Sequence, residues 1–194
     1  MIARSGTLAI TGDEAADLLL NTDPLALLVG MLLDQQVPME WAFKGPATLV
    51  DRLGHLEVAA VAEMDPEAFL EACSTKPAIH RFPRSMAGRI QDLCRHIVDH
   101  HGGDAAEVWT GAADGPDLAN RLRALPGYGA EKTKIFVAIL AKRMGHRPHG
   151  WEVAAGPFAD DEPRSVADID GPEALATVRA WKKAQKAAGK TKQQ

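Results

Sequence analysis

A short turn carries the residues best suited to hold an anion. In Leu-Pro-Gly-Tyr-Gly at residues 125–129, Pro126 sets the φ of the second turn position and Gly127 supplies the positive φ of a type II turn. Leucines before the turn and an apolar run after it each predict a helix. A helix–hairpin–helix of this kind directs unpaired N–H groups toward one point beside lysines, which suits a nucleic-acid phosphate. The alternative is a tight link between two core helices.

A second polar group ends an otherwise apolar helix. Residues 25–36 are apolar on nearly every side, which predicts a buried central helix, and they finish in Asp34, Gln35 and Gln36. Polar side chains at the end of a buried helix indicate that the core meets a surface groove there. The alternative is that the two glutamines merely cap the helix.

The remaining polar clusters are weaker signals. The loop at residues 74–84 is basic and contains an aromatic ring, so Arg81 and Arg84 are candidate phosphate contacts, although a solvated loop explains them as well. His96 and His100 are spaced i, i+4, but the sequence offers no third ligand. We therefore predict no metal site.

Composition limits the classes of function. The 194 residues carry a net charge of −4, so any nucleic-acid binding must come from a local basic patch, and the acidity counts modestly against it. Two cysteines, Cys73 and Cys94, cannot build a four-thiolate site. The N-terminus lacks a signal-peptide design and no apolar run approaches about 18 residues. The sequence therefore predicts a cytoplasmic protein with no membrane contact.

The elements that position these groups are all helical. No alternation of apolar and polar residues persists, which predicts an all-α chain. We expect a two-lobed helical bundle: residues 25–143 form a helical barrel, with the helix–hairpin–helix at about 115–143. Residues 1–24 and 144–194 form a smaller lobe that ends in a basic, frayed C-terminal tail, with a cleft between the lobes.

Two stretches, 27–36 and 122–133, together resemble the helix-hairpin-helix GPD superfamily of base-excision DNA glycosylases. The resemblance covers roughly residues 14–152. It implies double-stranded DNA as partner, with Gln36 filling the space of an extruded base and Gly127 and Gly129 holding a phosphate through their N–H groups. The hairpin carbonyls of that family can also bind a monovalent cation. The full predicted DNA-binding set is Gln35, Gln36, Arg81, Arg84, Leu125, Pro126, Gly127, Tyr128, Gly129, Glu131, Lys132 and Thr133.

The chain departs from the family pattern at both chemical positions. Members that also cleave the backbone carry a lysine where this chain has Glu131, and Lys132 is turned about 100° away by one helical step. The family aspartate falls on His149, which leaves Glu152 as the nearest carboxylate and Asp34 as a second candidate catalytic residue. The alternative is that neither is catalytic. No cysteine follows Cys94, so the resemblance points to a branch without an iron–sulfur cluster.

These expectations combine into one function with two rivals. We expect a monomeric, nucleoid-associated base-excision repair protein, a DNA N-glycosylase without AP-lyase activity. Trp151, His149 and Trp41 are the expected base pocket, with Tyr128 and Phe82 as further stacking candidates and core packing as their alternative use. The rivals are a non-catalytic DNA-binding module on the same scaffold and a protein-interaction domain that binds no DNA.

Overall fold

The computed structural model describes residues 8–194, and within that range there is no β-strand. This confirms the all-α prediction. Two short 3-10 turns, Gly156–Ala159 and Val166–Asp168, precede the last helix. The helices are α1 (Glu14–Thr22), α2 (Pro24–Leu33), α3 (Met39–Leu53), α4 (Val58–Glu63), α5 (Pro66–Ser74), α6 (Pro83–His101), α7 (Glu107–Thr110), α8 (Gly115–Ala124), α9 (Ala130–Lys142), α10 (Trp151–Ala155) and α11 (Pro172–Ala187).

Aspartate–proline pairs start two of these helices. The Asp23 carboxylate accepts a hydrogen bond from the Ala26 amide, and Pro24 occupies the first turn of α2. Asp65 caps α5 in the same way, from the amides of Glu67 and Ala68. The start of α2 is therefore fixed by local chemistry.

α2 is the buried centre of the fold, with all residues from Leu25 to Leu33 inside. Two glycines bring α3 against it. A Cβ on Gly30 would lie 2.8 Å from the Phe43 ring, and a Cβ on Gly45 would lie 2.4 Å from Leu33 Cδ1. α3 continues through Gly45 and Pro46 because this close packing holds the helix together.

α8 and α9 pack together as the arms of the helix–hairpin–helix, and α10 packs on both. At the start of α8 the Gly115 amide donates to the His149 carbonyl over 2.7 Å, and there is no room for a side chain on Gly115. The start of α10 is thus attached to the N-terminal end of α8, and the turn at residues 125–129 follows the opposite end.

The C-terminal tail is held against the molecule, contrary to the frayed tail that the sequence suggested. Lys192 pairs with Glu131 of α9 over 2.6 Å, and the Arg164 guanidinium donates to the Lys192 carbonyl over 3.2 Å. Arg179 of α11 pairs with Glu40 of α3. The division into lobes 25–143 and 1–24 plus 144–194 stays a prediction.

Within residues 8–194, no single helix is long and apolar enough to span a membrane. α1 and α2 meet that test only when taken together, across a bend of 112°.

Candidate nucleic-acid interface

The predicted turn at residues 125–129 is present with the expected geometry. The Tyr128 amide donates to the Leu125 carbonyl over 3.1 Å, and Gly127 has φ +84°, as the third residue of a type II turn requires. Gly127, Gly129 and Ala130 are exposed. The Gly127 and Gly129 amides donate to no acceptor in the part of the chain that the structure describes. The turn therefore offers free N–H groups to an anion.

Tyr128 anchors this turn to the buried helix. Its hydroxyl donates to the Leu28 carbonyl over 2.8 Å, and its ring meets Phe136 edge to face. Burial raises the pKa of the phenol well above its usual value, so the hydroxyl stays protonated. The ring is only 4% exposed, which excludes stacking on an extruded base and leaves core packing as its use.

The two glutamines at the end of α2 differ in role. Gln35 is tied down, because its amide donates to the Leu32 carbonyl over 3.0 Å and its Oε1 accepts from Arg89 over 3.2 Å. Gln36 is exposed and has φ +57°, the only positive φ of a non-glycine residue within residues 8–194. A non-glycine residue whose backbone is held in the left-handed region by its surroundings is typical of a functional position.

A buried histidine fixes this turn, and sequence reasoning missed it. His80 is 1% exposed; its Nε2 donates to the Gln35 carbonyl over 2.9 Å while its Nδ1 accepts from the Phe82 amide over 3.1 Å. Burial lowers the pKa of this imidazole, so it stays neutral. Nothing in its sequence context distinguishes His80 from the basic residues around it.

The loop that carries His80 lies beside the glutamines. The Phe82 ring is exposed, and the Arg81 guanidinium lies over one face of it, 4.8 Å from the ring centre. Trp41 donates from its indole to the Ala78 carbonyl over 2.9 Å, and Arg84 pairs with Glu67 over 3.3 Å. A shallow cavity of about 270 Å³ separates this loop from the end of α2, lined by Gln35, Gln36, His80, Phe82, Ser85, Met86 and Arg89.

Charged side chains from three elements converge where α2 ends and α9 begins. Lys132 donates from Nζ to the Leu32 carbonyl over 2.8 Å, so its long side chain reaches α2 despite the 100° step from Glu131. Burial lowers the pKa of Lys132 to about 8, opposed by the Asp34 carboxylate. Burial in turn raises the pKa of half-buried Asp34, opposed by Lys182, Lys132 and Lys192.

Glu131 completes this cluster. Burial alone would raise the pKa of its carboxyl, but the hydrogen bonds from Lys192 and from Gln193, at 2.6 and 3.2 Å, lower it. Glu131 is therefore an ionised and paired carboxylate at the start of α9.

The residues expected after the hairpin lie elsewhere. His149 and Glu152 are exposed and Trp151 is half-buried, at the start of α10 beside the first turn of α8. α8 has ten residues, so this place is about 15 Å along the helix from the turn. Asp34, with Gln36 two residues beyond it, meets Lys132 at the end of α2, whereas the start of α10 lies at the opposite end of α8 from the turn.

No group of three or more His, Cys, Asp or Glu residues within residues 8–194 could hold a metal ion. Cys73 and Cys94 are buried, and burial raises the pKa of each thiol to about 12. The His96 and His100 rings lie 4.3 Å apart on α6.

Comparison with known proteins identifies the family of the chain. The family model of the HhH-GPD superfamily base excision DNA repair protein matches residues 29–193, well over half of the chain. No curated protein and no solved structure matches the chain. The matched range includes the end of α2, the hairpin and α11. The chain belongs to the HhH-GPD superfamily of base excision DNA repair proteins.

Proposed function

We propose that this protein binds double-stranded DNA through the hairpin, extrudes one base and hydrolyses its N-glycosidic bond without cleaving the backbone. The observation that carries the proposal is the meeting of three groups at one junction. They are the free N–H groups of residues 127 and 129, the exposed left-handed Gln36, and the half-buried Asp34.

The hairpin supplies the grip on the backbone. Free N–H groups beside the positive end of the α9 dipole attract a phosphate, and Tyr128 and Leu32 hold the turn rigid beneath it. Phosphate contacts fix position without reading sequence, so this grip suits a protein that must inspect many sites.

Gln36 supplies the group that replaces the extruded base. Extrusion costs a few kcal/mol of stacking and pairing, and a polar side chain inserted into the duplex offsets part of that cost. Gln36 is already presented outward, because Gln35, His80 and Arg89 hold the turn from behind.

Asp34 is the carboxylate best placed for the chemistry. A carboxylate beside the scissile bond stabilises the positive charge that develops on the sugar, or activates water. Asp34 is half-buried, which strengthens that electrostatic effect; burial raises the pKa of its carboxyl, and the neighbouring lysines oppose that rise. Glu152, exposed at the far end of α8, is the second candidate.

The absence of lyase activity is the part of the proposal most open to test. A lysine with a pKa of about 8 has a neutral amine fraction near neutral pH, and Lys132 lies in the same junction as Asp34. Its Nζ is nevertheless engaged by the Leu32 carbonyl. Borohydride should trap no covalent complex with an abasic duplex. A trapped complex that disappears in Lys132→Gln would show that this protein is a lyase.

A panel of duplexes, each with one damaged, deaminated or mismatched base, tests the function as a whole. We expect salt-dependent binding of duplex DNA and release of at least one base, leaving an intact abasic strand. Salt-dependent binding without any base release would identify the non-catalytic DNA-binding module. If the protein has no affinity for DNA at low salt, the remaining explanation is a protein-interaction domain that binds no DNA.

A further inference from the structure

A second cavity lies between α11 and the C-terminal residues 188–194, and the function proposed above does not use it. We call it the tail pocket. Its volume is about 340 Å³, at the lower end of the range for small-ligand pockets. Six charged or aromatic side chains form most of its wall: Trp181, Glu131, Lys182, Lys186, Lys190 and Lys192.

The tail pocket adjoins the junction of α2 and α9. Glu131, in its wall, is two residues from Gly129, whose amide is free for a phosphate. Lys182, also in the wall, is close enough to Asp34 for the carboxylate to oppose the lowering of the lysine pKa that burial causes. The tail pocket therefore adjoins the hairpin that we propose grips DNA.

Trp181 is held in one orientation at the pocket wall. Its indole nitrogen donates to Glu162 Oε2 over 3.2 Å, and the Arg164 guanidinium lies 5.2 Å from its ring centre. Arg164 is itself fixed by Asp160 over 2.8 Å. A ring fixed in this way is suited to stacking on a flat, aromatic ligand, because little conformational entropy is lost on binding.

Gln185 gives the pocket an unused hydrogen-bond acceptor. Its Oε1 is buried and accepts no hydrogen bond within residues 8–194. An unpaired buried polar atom costs free energy, so a ligand that supplies a donor there gains an interaction. Gln185 is four residues from Trp181, on the same face of α11, so one flat ligand can meet both.

The charge of the wall selects among flat ligands. Four lysines line the pocket against one glutamate, and that glutamate is already paired with Lys192. Ammonium groups donate to carbonyl oxygens and repel cations. The wall therefore favours a neutral ring that carries carbonyl oxygens and disfavours a ring that carries a positive charge.

We propose that the tail pocket receives the extruded base, stacked on Trp181 with an N–H group directed to Gln185, and that it selects neutral, carbonyl-bearing bases over cationic, N-alkylated ones. The ligand class is that of deaminated or oxidised bases. This assignment replaces Trp151, His149 and Trp41 as the base pocket, and it rests on the function proposed above.

Nucleoside binding tests the pocket without requiring catalysis. The probes are deoxyuridine, 8-oxo-deoxyguanosine and the cationic 3-methylcytidine, titrated into the full chain while the indole N–H signals are followed by NMR. Trp181→Phe identifies the Trp181 signal. We expect that signal to shift with the two neutral nucleosides and to shift much less with the cationic one. Gln185→Leu should lower the affinity for the neutral nucleosides about tenfold.

Single-turnover base release from duplexes that carry the same three bases tests the selectivity. Gln185→Leu should slow release of the carbonyl-bearing base about tenfold. Lys186→Gln should narrow the preference for neutral over cationic bases several-fold. Lys183→Gln is the matched control, because Lys183 is an exposed lysine of α11 that does not line the pocket. Thermal unfolding of each variant checks that it folds.

The outcomes separate this inference from the proposed function. In one outcome the wild-type protein releases a base, and Gln185→Leu and Lys186→Gln release it as fast as Lys183→Gln does. That result would overturn the pocket assignment and keep the proposed function. Nucleoside binding at Trp181 without base release from any duplex would keep the pocket and overturn the function. A Trp181 signal that no nucleoside moves, with no base release, would overturn both.

Discussion

At the scale of single residues, Lys132 and Asp34 decide the electrostatics of the junction. Each is half-buried at the end of α2, and each opposes the pKa shift that burial causes in the other. Neither shift follows from the sequence, because residues 34 and 132 are distant along the chain and meet only where the Lys132 side chain reaches the Leu32 carbonyl. What the sequence does indicate is that polar residues end a buried helix.

The lowered pKa of Lys132 makes stability depend on pH in a definite direction. Its pKa is about 8 in the folded protein and 10.5 in the unfolded chain, so between these values the unfolded chain holds more protons. The cost of burying the Lys132 charge is therefore present in full below pH 8 and disappears as pH rises to 10.5. We expect the Tm of the wild-type protein, minus that of Lys132→Gln, to rise from pH 8 to 10.5. A difference that is flat or falls over this window would contradict the burial of Lys132.

Substitution of Gln36 should affect base release without lowering the stability of the fold. A left-handed residue other than glycine costs up to about 1–2 kcal/mol, so Gln36→Gly should leave the free energy of unfolding unchanged or raise it by up to about 1 kcal/mol. The same change should slow base release by at least tenfold, because nothing then fills the duplex. Gln36→Asn is the control that keeps a polar side chain and tolerates φ > 0. Full activity in Gln36→Gly would exclude Gln36 as the filling residue.

At the scale of elements, the turn at residues 125–129 is the feature that sequence predicts best. Its geometry is set by neighbouring residues, so Pro126 and Gly127 suffice to specify it. The attachment of the turn to α2 is different, because it depends on Tyr128 reaching Leu28, and one hundred residues separate them. The sequence presented Tyr128 as a stacking candidate because an aromatic side chain in a surface turn carries no mark of the partner it meets.

The two hairpin glycines should respond differently to alanine. At Gly127 the φ is +84° and a new Cβ would lie 3.4 Å from Leu32 Cδ1, so Gly127→Ala should lower the free energy of unfolding by about 1–2 kcal/mol and weaken duplex binding. At Gly129 the φ is −82° and a Cβ meets nothing within 4 Å, so Gly129→Ala should leave unfolding unchanged. Denaturant titration measures both. Equal destabilisation would contradict the turn type.

At the scale of the whole molecule, the C-terminal tail closes on the start of α9. The sequence shows its lysines but not their partner, so a solvated, frayed tail was the simpler prediction. In the folded protein Lys192 neutralises Glu131, which otherwise places an unpaired carboxylate two residues from the hairpin. The net charge of −4 therefore says little about the surface proposed to bind DNA. The local potential of that surface is set by paired acids and free N–H groups.

Removing this pairing should weaken DNA binding. Lys192→Gln leaves the Glu131 charge uncompensated near the phosphate, so duplex affinity should fall several-fold, more at low salt than at high salt. The double variant Glu131→Gln, Lys192→Gln should recover most of the loss. Both partners are about 40% exposed, so stability should change by no more than about 1 kcal/mol. Stronger binding by Lys192→Gln would show instead that the tail blocks the site.

The central claim is that the chemistry occurs at the end of α2, and the most direct test compares two carboxylates. The measurement is the single-turnover rate of base release at saturating protein, for Asp34→Asn and for Glu152→Gln, on a duplex that the wild-type protein processes. We predict a loss of at least about 100-fold for Asp34→Asn and less than about twofold for Glu152→Gln. Near-wild-type release by Asp34→Asn, with the loss in Glu152→Gln, would contradict the claim and place the reaction at the far end of α8.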